Sequence, residues 1–197
     1  MVLYISTIII CMIIISVLNI LLGTSTFGYS VGEVIGLVCI GVLIEIVIDL
    51  IIAGIVSKCP IKWFDPDKKM YQVSKKERKF YEKLGIKNWK DKVIELGALS
   101  GFRKNKLREG SNPEYLYRFL IESNKGIWTH ILNITLGFLL IFCLPLKYWL
   151  VISIPIGIVN FVLGLLPTFI LRYNVPKLKV AYERARRLEK QKETTDQ

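Results

Sequence analysis

Apolar positions in this chain come in long unbroken runs rather than in stripes. Residues 2–22, VLYISTIIICMIIISVLNILL, hold no ionisable side chain except Tyr4. At about 1.5 Å per residue, such a helix spans a hydrocarbon core of about 30 Å. The run has no basic start and no small-residue cleavage site, so it reads as a permanent helix rather than a signal peptide. A Gly/Ser/Thr turn is expected from Gly23 to Ser30. A second run extends from about Val34 to Val56 and carries Glu45 and Asp49. Residues 58–126 are polar and basic. A third run covers about Ile127–Leu146 and a fourth about Tyr148–Leu171, with Pro145 and Lys147 marking a tight connection. The pattern predicts an all-α integral membrane helical bundle of four transmembrane helices, with a helical basic loop lying at the interface. It divides the chain into two N-terminal spans (1–57), a basic amphipathic segment (58–126), two C-terminal spans (127–171) and a basic tail (172–197).

The polar segment carries helix signals of its own. In SKKERKFYEKLG, Ser74 is the expected N-cap, Glu77 closes a capping box and Gly85 is the stop. Asn88, with Asp91 three residues on, predicts a second short helix through about Leu96. Gly97 and Gly101 flank a turn before the basic strip GFRKNKLR. Asn112-Pro113-Glu114 starts another helix, with proline at the first helical position, and that helix is expected to run into the third span. Trp63, Phe64, Tyr71, Phe80, Tyr81 and Trp89 are interleaved with Lys and Arg, as suits a segment lying among lipid headgroups.

Charge then orients the bundle. The chain has 197 residues, is 52% hydrophobic and carries a net charge of +11. Its first 57 residues contain no Lys or Arg. The 58–126 segment holds 18 Lys and Arg against 9 acids, and the tail from Arg172 holds 8 against 4. Only Lys147 falls on the other side of a four-span layout. The positive-inside rule therefore predicts a multi-pass cell-membrane protein with both termini in the cytoplasm. A soluble globule is excluded, and so is a disulfide-stapled secreted domain. Cys11, Cys39, Cys59 and Cys143 lie in or beside apolar runs without metal-ligand spacing, so they read as packing residues and no metal is expected. The cations flank spans, which accounts for them without nucleic acid.

Candidate chemistry is sparse. His130 is the one histidine, beside Thr129, Asn133 and Gly137 at helical spacing. It is either a satisfied packing imidazole or a proton acceptor near neutral pH. Glu122 lies eight residues earlier, about 12 Å along a straight helix, placed to bind a hydroxyl or a cation rather than His130. Ser153, Gly157, Asn160, Gly164 and Thr168 form a small-and-polar stripe that reads as close helix packing. Glu45 and Asp49 share one face of the second span; they read either as acids that are protonated or paired with Asn19, Ser16 or a loop cation, or as a functional pair. RYNVPKL (Arg172–Leu178) ends the fourth span either as an interfacial anchor with Pro176 breaking the helix, or with Arg172 gripping a phosphate.

Three stretches together resemble the glycosyl-4,4'-diaponeurosporenoate acyltransferase family. The first is WFDPDKKMYQVSKKERKFYEKLGIKNWKDKVIELGALSGFRKNKL, with Trp63, Asp65 and Pro66, then Tyr81, Trp89, Lys90, Asp91 and Lys92, then Gly101, Phe102, Lys104 and Leu107. The second is IES…WTH, with Glu122 and His130. The third is RYNVPKL, with Arg172, Tyr173, Asn174, Pro176 and Leu178. The resemblance covers about residues 60–185. It implies an integral membrane enzyme that esterifies a sugar hydroxyl of a glycosylated lipid with a fatty acyl chain, as in the carotenoid staphyloxanthin.

On that resemblance, His130 is the expected general base, Asn133 an oxyanion donor, and Glu122 and Asn174 the residues that orient the acceptor sugar. Arg172, Tyr173, Trp89, Lys90, Asp91, Arg103 and Lys104 are the expected substrate-binding residues. No cofactor is expected beyond an activated acyl donor, such as acyl-CoA or an acyl carrier, as co-substrate. The expected partners are membrane lipids, the acyl donor and the glycolipid acceptor, without nucleic acid. Four spans are few to enclose two lipids, so the oligomeric state stays open between a monomer and a homodimer. Two other functions fit the same residues: a non-catalytic lipid- or partner-binding module, and a small transporter using Glu45 and Asp49.

Overall fold

The computed structural model describes residues 2–93 and 112–195. The strip from Gly101 to Leu107 with Arg103 and Lys104, the turn glycine Gly97, and Leu96 at the expected end of the second loop helix lie outside the described residues. Among the described residues the chain is helical, with no strand. Helix α1 runs Val2–Phe27, α2 Val31–Lys58, α3 Lys75–Lys83, α4 Ile86–Trp89 and α5 Pro113–Leu136. A 3-10 turn over Gly137–Leu139 leads into α6, Leu140–Cys143. A second 3-10 turn at Leu146–Tyr148 and a π turn at Trp149–Ser153 precede α7, Ile154–Thr195. Four helical stretches are long and apolar enough to cross a membrane: Ile5–Gly23, Val31–Lys58, Pro113–Cys143 and Leu146–Thr195. Ile13, Leu21, Leu50, Phe142 and Leu150 are each more than half exposed, as lipid-facing side chains are.

The chain divides into two compact units. The first comprises Met1–Val56 and Thr129–Leu166. Its core is built from Ile15, Val34, Val38, Leu140, Leu144, Ile152 and Ile156, with Tyr29 and Tyr148 at one end. The α1–α2 reversal is shorter than the expected Gly23–Ser30 turn. Helix α1 continues through the Gly/Ser/Thr stretch to Phe27. The chain therefore turns at Gly28, whose φ of +68° suits glycine. The Tyr29 N–H reaches back to Gly23 O at 3.3 Å, and the Glu33 N–H donates to Ser30 Oγ at 3.1 Å.

This turn is fastened to the α6–α7 connection. The Tyr29 hydroxyl donates to Lys147 O at 3.0 Å, Lys147 Nζ lies 3.1 Å from Glu33 Oε1, and the Tyr148 hydroxyl donates to the same carboxylate. Deeper in the unit, the π turn displaces backbone carbonyls from the regular helix ladder. Asn19 answers this by donating from Nδ2 to Val151 O at 2.7 Å and to Ile15 O at 2.8 Å. The glycines of the α7 stripe sit at close contacts. A Cβ on Gly157 would lie 3.0 Å from the Phe138 ring, and one on Gly164 2.8 Å from Ile134 Cγ1.

The second unit comprises Ser57–Trp128 and Pro167–Gln197. Asn112 Oδ1 accepts the N–H groups of Glu114 and Tyr115, capping α5 where the Asn-Pro-Glu signal predicts. Gly85, with φ +63°, ends α3 as expected. The next helix, however, begins at Ile86 rather than at Asn88, because the fully buried Ile86 side chain fixes the restart immediately after the glycine. Helix α7 also departs from expectation: Pro167 and Pro176 lie inside it and Pro176 does not end it. Proline removes one backbone donor and strains the preceding turn. Tyr173, Val175 and Leu178, all buried around Pro176, hold the turn together. Asn124, fully buried, donates to Phe64 O at 2.9 Å and ties the 3-10 turn Ile61–Phe64 to α5.

Replacing Asn19 by Leu removes both of its bonds and leaves the Val151 carbonyl unanswered in apolar surroundings. The expected result is a loss of about 1–3 kcal/mol, read as a lower thermal unfolding midpoint in detergent. An unchanged midpoint shows that the π turn does not depend on Asn19.

Candidate functional site

In the second unit the capping box of α3 prepares an ion pair. Ser74 Oγ accepts the Glu77 N–H at 3.1 Å, and the Ser74 N–H bonds back to the Glu77 carboxylate. The carboxylate is thereby turned toward α7. There Arg172 grips it from Nε at 2.7 Å and Nη2 at 2.8 Å. The Tyr81 hydroxyl donates to Glu77 Oε1 at 2.7 Å, and Arg172 Nη1 donates to Met70 O at 2.6 Å. Burial by itself raises the Glu77 carboxyl, but the bonds from Arg172, Tyr81 and Ser74 together hold it below the usual carboxylate range. Burial, then the adjacent Glu77 carboxylate, pushes the Tyr81 hydroxyl up. Three of the five guanidinium N–H donors of Arg172 are thus spent inside the protein. Arg172 positions α3 on α7.

Beside this pair lies a groove of about 260 Å³. Val73, Tyr81, Tyr173, Pro176 and Val180 form its walls, with Arg78 and Lys177 as its cations. Lys177 Nζ stands 4.1 Å from the centre of the Tyr173 ring. Arg78 pairs with Glu82 at 3.1 Å in an exposed setting. An apolar slot with two cations can take an amphipathic anion.

The other expected site residues of this unit lie in several settings. Tyr173 is buried with Tyr81, Ile86 and Ile170, and Trp89 packs against that cluster while its indole N–H donates to Leu84 O. Glu122 pairs with Lys125 at 2.9 Å. Lys90 and Asn174 are half-buried, and Asp91 is exposed.

The first unit carries His130 and Asn133. His130 is only partly buried on α5, so the ring is not sealed inside aliphatic packing. Asn133, the expected oxyanion donor, is 8% exposed. Asn160, in the stripe expected to pack closely, donates from Nδ2 to Glu45 Oε2 at 2.9 Å. Glu77, Arg78 and Lys177 were missed as site residues. The capping-box signal located Glu77 but accounted for only one of its bonds.

Glu77 has a lowered folded pKa, so its stabilising contribution is complete above the unfolded value near 4.5 and is lost as pH falls through the folded value. Acid titration of thermal stability should show this loss in the wild type and not in Glu77→Gln. At neutral pH, Glu77→Gln should cost about 3 kcal/mol, because it leaves Arg172 unpaired. The double variant E77Q/R172M should recover part of that loss. Strict additivity of the two single changes contradicts the pair.

A family model described as glycosyl-4,4'-diaponeurosporenoate acyltransferase matches residues 60–184. No curated protein and no solved structure matches the chain.

Proposed function

The chain belongs to the glycosyl-4,4'-diaponeurosporenoate acyltransferase family, and from that premise we propose that it is an integral membrane enzyme moving a fatty acyl group onto a hydroxyl of a glycosylated lipid. The observation that carries the proposal is the match across residues 60–184, which takes in Glu122, His130 and the Arg172–Leu178 motif. The four membrane-crossing helices supply the setting that two lipid substrates need. The bias of Lys and Arg toward 58–126 and 172–197 supports cytoplasmic termini.

His130 is the proposed general base. A neutral imidazole nitrogen takes the proton of the sugar hydroxyl as its oxygen attacks the acyl carbonyl carbon. The carbon–sulfur bond of a thioester donor then breaks, and the proton passes to the leaving thiolate, so the products are an ester and a free thiol. Partial exposure of His130 supports this role. The groove flanked by Arg78 and Lys177 is the proposed anchor for the anionic part of the donor, an acyl-CoA or acyl-carrier phosphate. Tyr173 contributes as its wall.

Lipid mass spectrometry of cells with and without the protein tests the activity. The expected result is a glycolipid heavier by one fatty acyl ester only when the protein is present. His130→Ala should remove that species, about a hundredfold or more in rate, with unchanged expression and thermal midpoint. Retained product removes His130 from the chemistry, and an unchanged lipidome favours a lipid-binding module instead.

A further inference from the structure

The first unit contains two carboxylates, Glu45 and Asp49, with no Lys or Arg to pair with them. Its segments hold three acids, Glu33, Glu45 and Asp49, and a single Lys, Lys147, with no Arg. Lys147 is committed to Glu33, which stands twelve residues from Glu45, about 18 Å along α2. Glu45 is 5% exposed. Two ionised carboxylates one helical turn apart in an apolar bundle are strongly disfavoured unless a positive charge joins them.

The surrounding oxygens point the same way. Glu45 Oε1, Asp49 Oδ1 and Asn133 Oδ1 are all buried without a hydrogen-bond partner. Asn133 lies on another helix and carries no charge, so its unanswered oxygen is an observation independent of the acid pair. Its backbone carbonyl accepts from Asn160 Nδ2 at 3.5 Å, and the same amide donates to Glu45 Oε2. Asn133 also precedes Gly137 by one turn and so shares its face. A Cβ on Gly137 would stand 2.5 Å from Asn160 Nδ2 and 2.9 Å from Glu45 Oε2. Only glycine lets the carboxylate and amide lie against the backbone where α5 gives way to the 3-10 turn. The one amide donor aimed at the group is already spent on the carboxylates, and three oxygen acceptors remain.

We propose that Glu45, Asp49 and Asn133, framed by Asn160 and Gly137, bind a hard metal cation, sodium or calcium, within the membrane-spanning unit. Carboxylate and amide oxygens are the ligand set such ions prefer. The site is separate from the acyl-transfer reading, and no activity measurement enters its test. The other titratable side chains of the unit are Tyr4, Cys11, Tyr29, Glu33, Cys39, His130, Cys143, Lys147 and Tyr148.

The test is thermal unfolding of the full chain in detergent at constant ionic strength, with choline chloride replaced stepwise by sodium chloride or, separately, by calcium chloride. The midpoint should rise by about 3 °C per tenfold increase in one of these ions above its dissociation constant. The ion that acts identifies the source of the charge. Glu45→Gln and Asp49→Asn, both near-isosteric, should abolish the rise. Should either fail to fold, equilibrium binding of radioactive sodium and calcium to the wild type, with Asn133→Leu as a further variant, decides instead: near one ion per chain, weakened in N133L, supports the site. The proposal is overturned if neither ion outperforms choline while acidification alone stabilises the protein, if no ion binds, or if the variants keep the full response.

Discussion

Hydrocarbon offers no hydrogen-bond partner, so each irregularity in a membrane-crossing helix must be answered from inside the bundle. The first unit follows this rule at three levels. The paired reversals at one end share the Glu33 carboxylate with Lys147 and Tyr148. The π turn gives up the Val151 carbonyl to Asn19. The 3-10 break at Gly137 receives Glu45 and Asn160 against bare backbone. Apolar contact holds the helices together but has no direction. These polar contacts give each helix a register, because sliding one by a turn strands a donor or a carboxylate.

The second unit meets the opposite condition. Its helices α3 and α4 are rich in charge, and an exposed ion pair there contributes little. The Arg172–Glu77 pair escapes that limit because its geometry is bidentate and its side chains are 16% and 25% exposed. It also bears on the two prolines of α7. A helix that loses backbone bonds at Pro167 and Pro176 needs outside support, and Arg172 lies between them, bonded to Glu77 and to Met70 O. The family match covers this whole arrangement. That places its rigid anchor, and the groove lined by Tyr173 and Lys177, within the part of the chain whose chemistry is best supported.

Several short-range signals are legible in the sequence, though not the Asn88 start, and pairings between distant residues are not. The Asn112-Pro113 start, the Ser74 cap and the Gly85 stop each depend on contacts a few residues apart, and each is present. Apolar runs located four spans because hydrocarbon thickness sets their length. Pro176 and the Gly23–Ser30 turn misled for one reason. Local propensity favours a break at both, but burial around Pro176 and the need for backbone bonds near Gly23 favour continued helix. Arg172 was readable as an anchor or a phosphate ligand, yet its partner lies 95 residues away and leaves no trace in spacing. Asn160 was taken for packing because it sits in a stripe of small residues, and no pattern along α7 reveals a carboxylate on α2.

The two polar centres of the molecule also differ in what they lack. Around Glu77 three donors, two from Arg172 and one from Tyr81, meet both carboxylate oxygens, so the group is satisfied and holds helices. Around Glu45 and Asp49 the acceptors outnumber the donors, and three oxygens stay unanswered in a unit whose single Lys is engaged elsewhere. A carboxylate with both oxygens answered is a structural solution complete in itself. A buried surplus of acceptors is not, because each unanswered oxygen retains its desolvation penalty. Its completion has to come from outside the chain, and this asymmetry, more than the presence of acids in a membrane helix, separates a scaffold from a site.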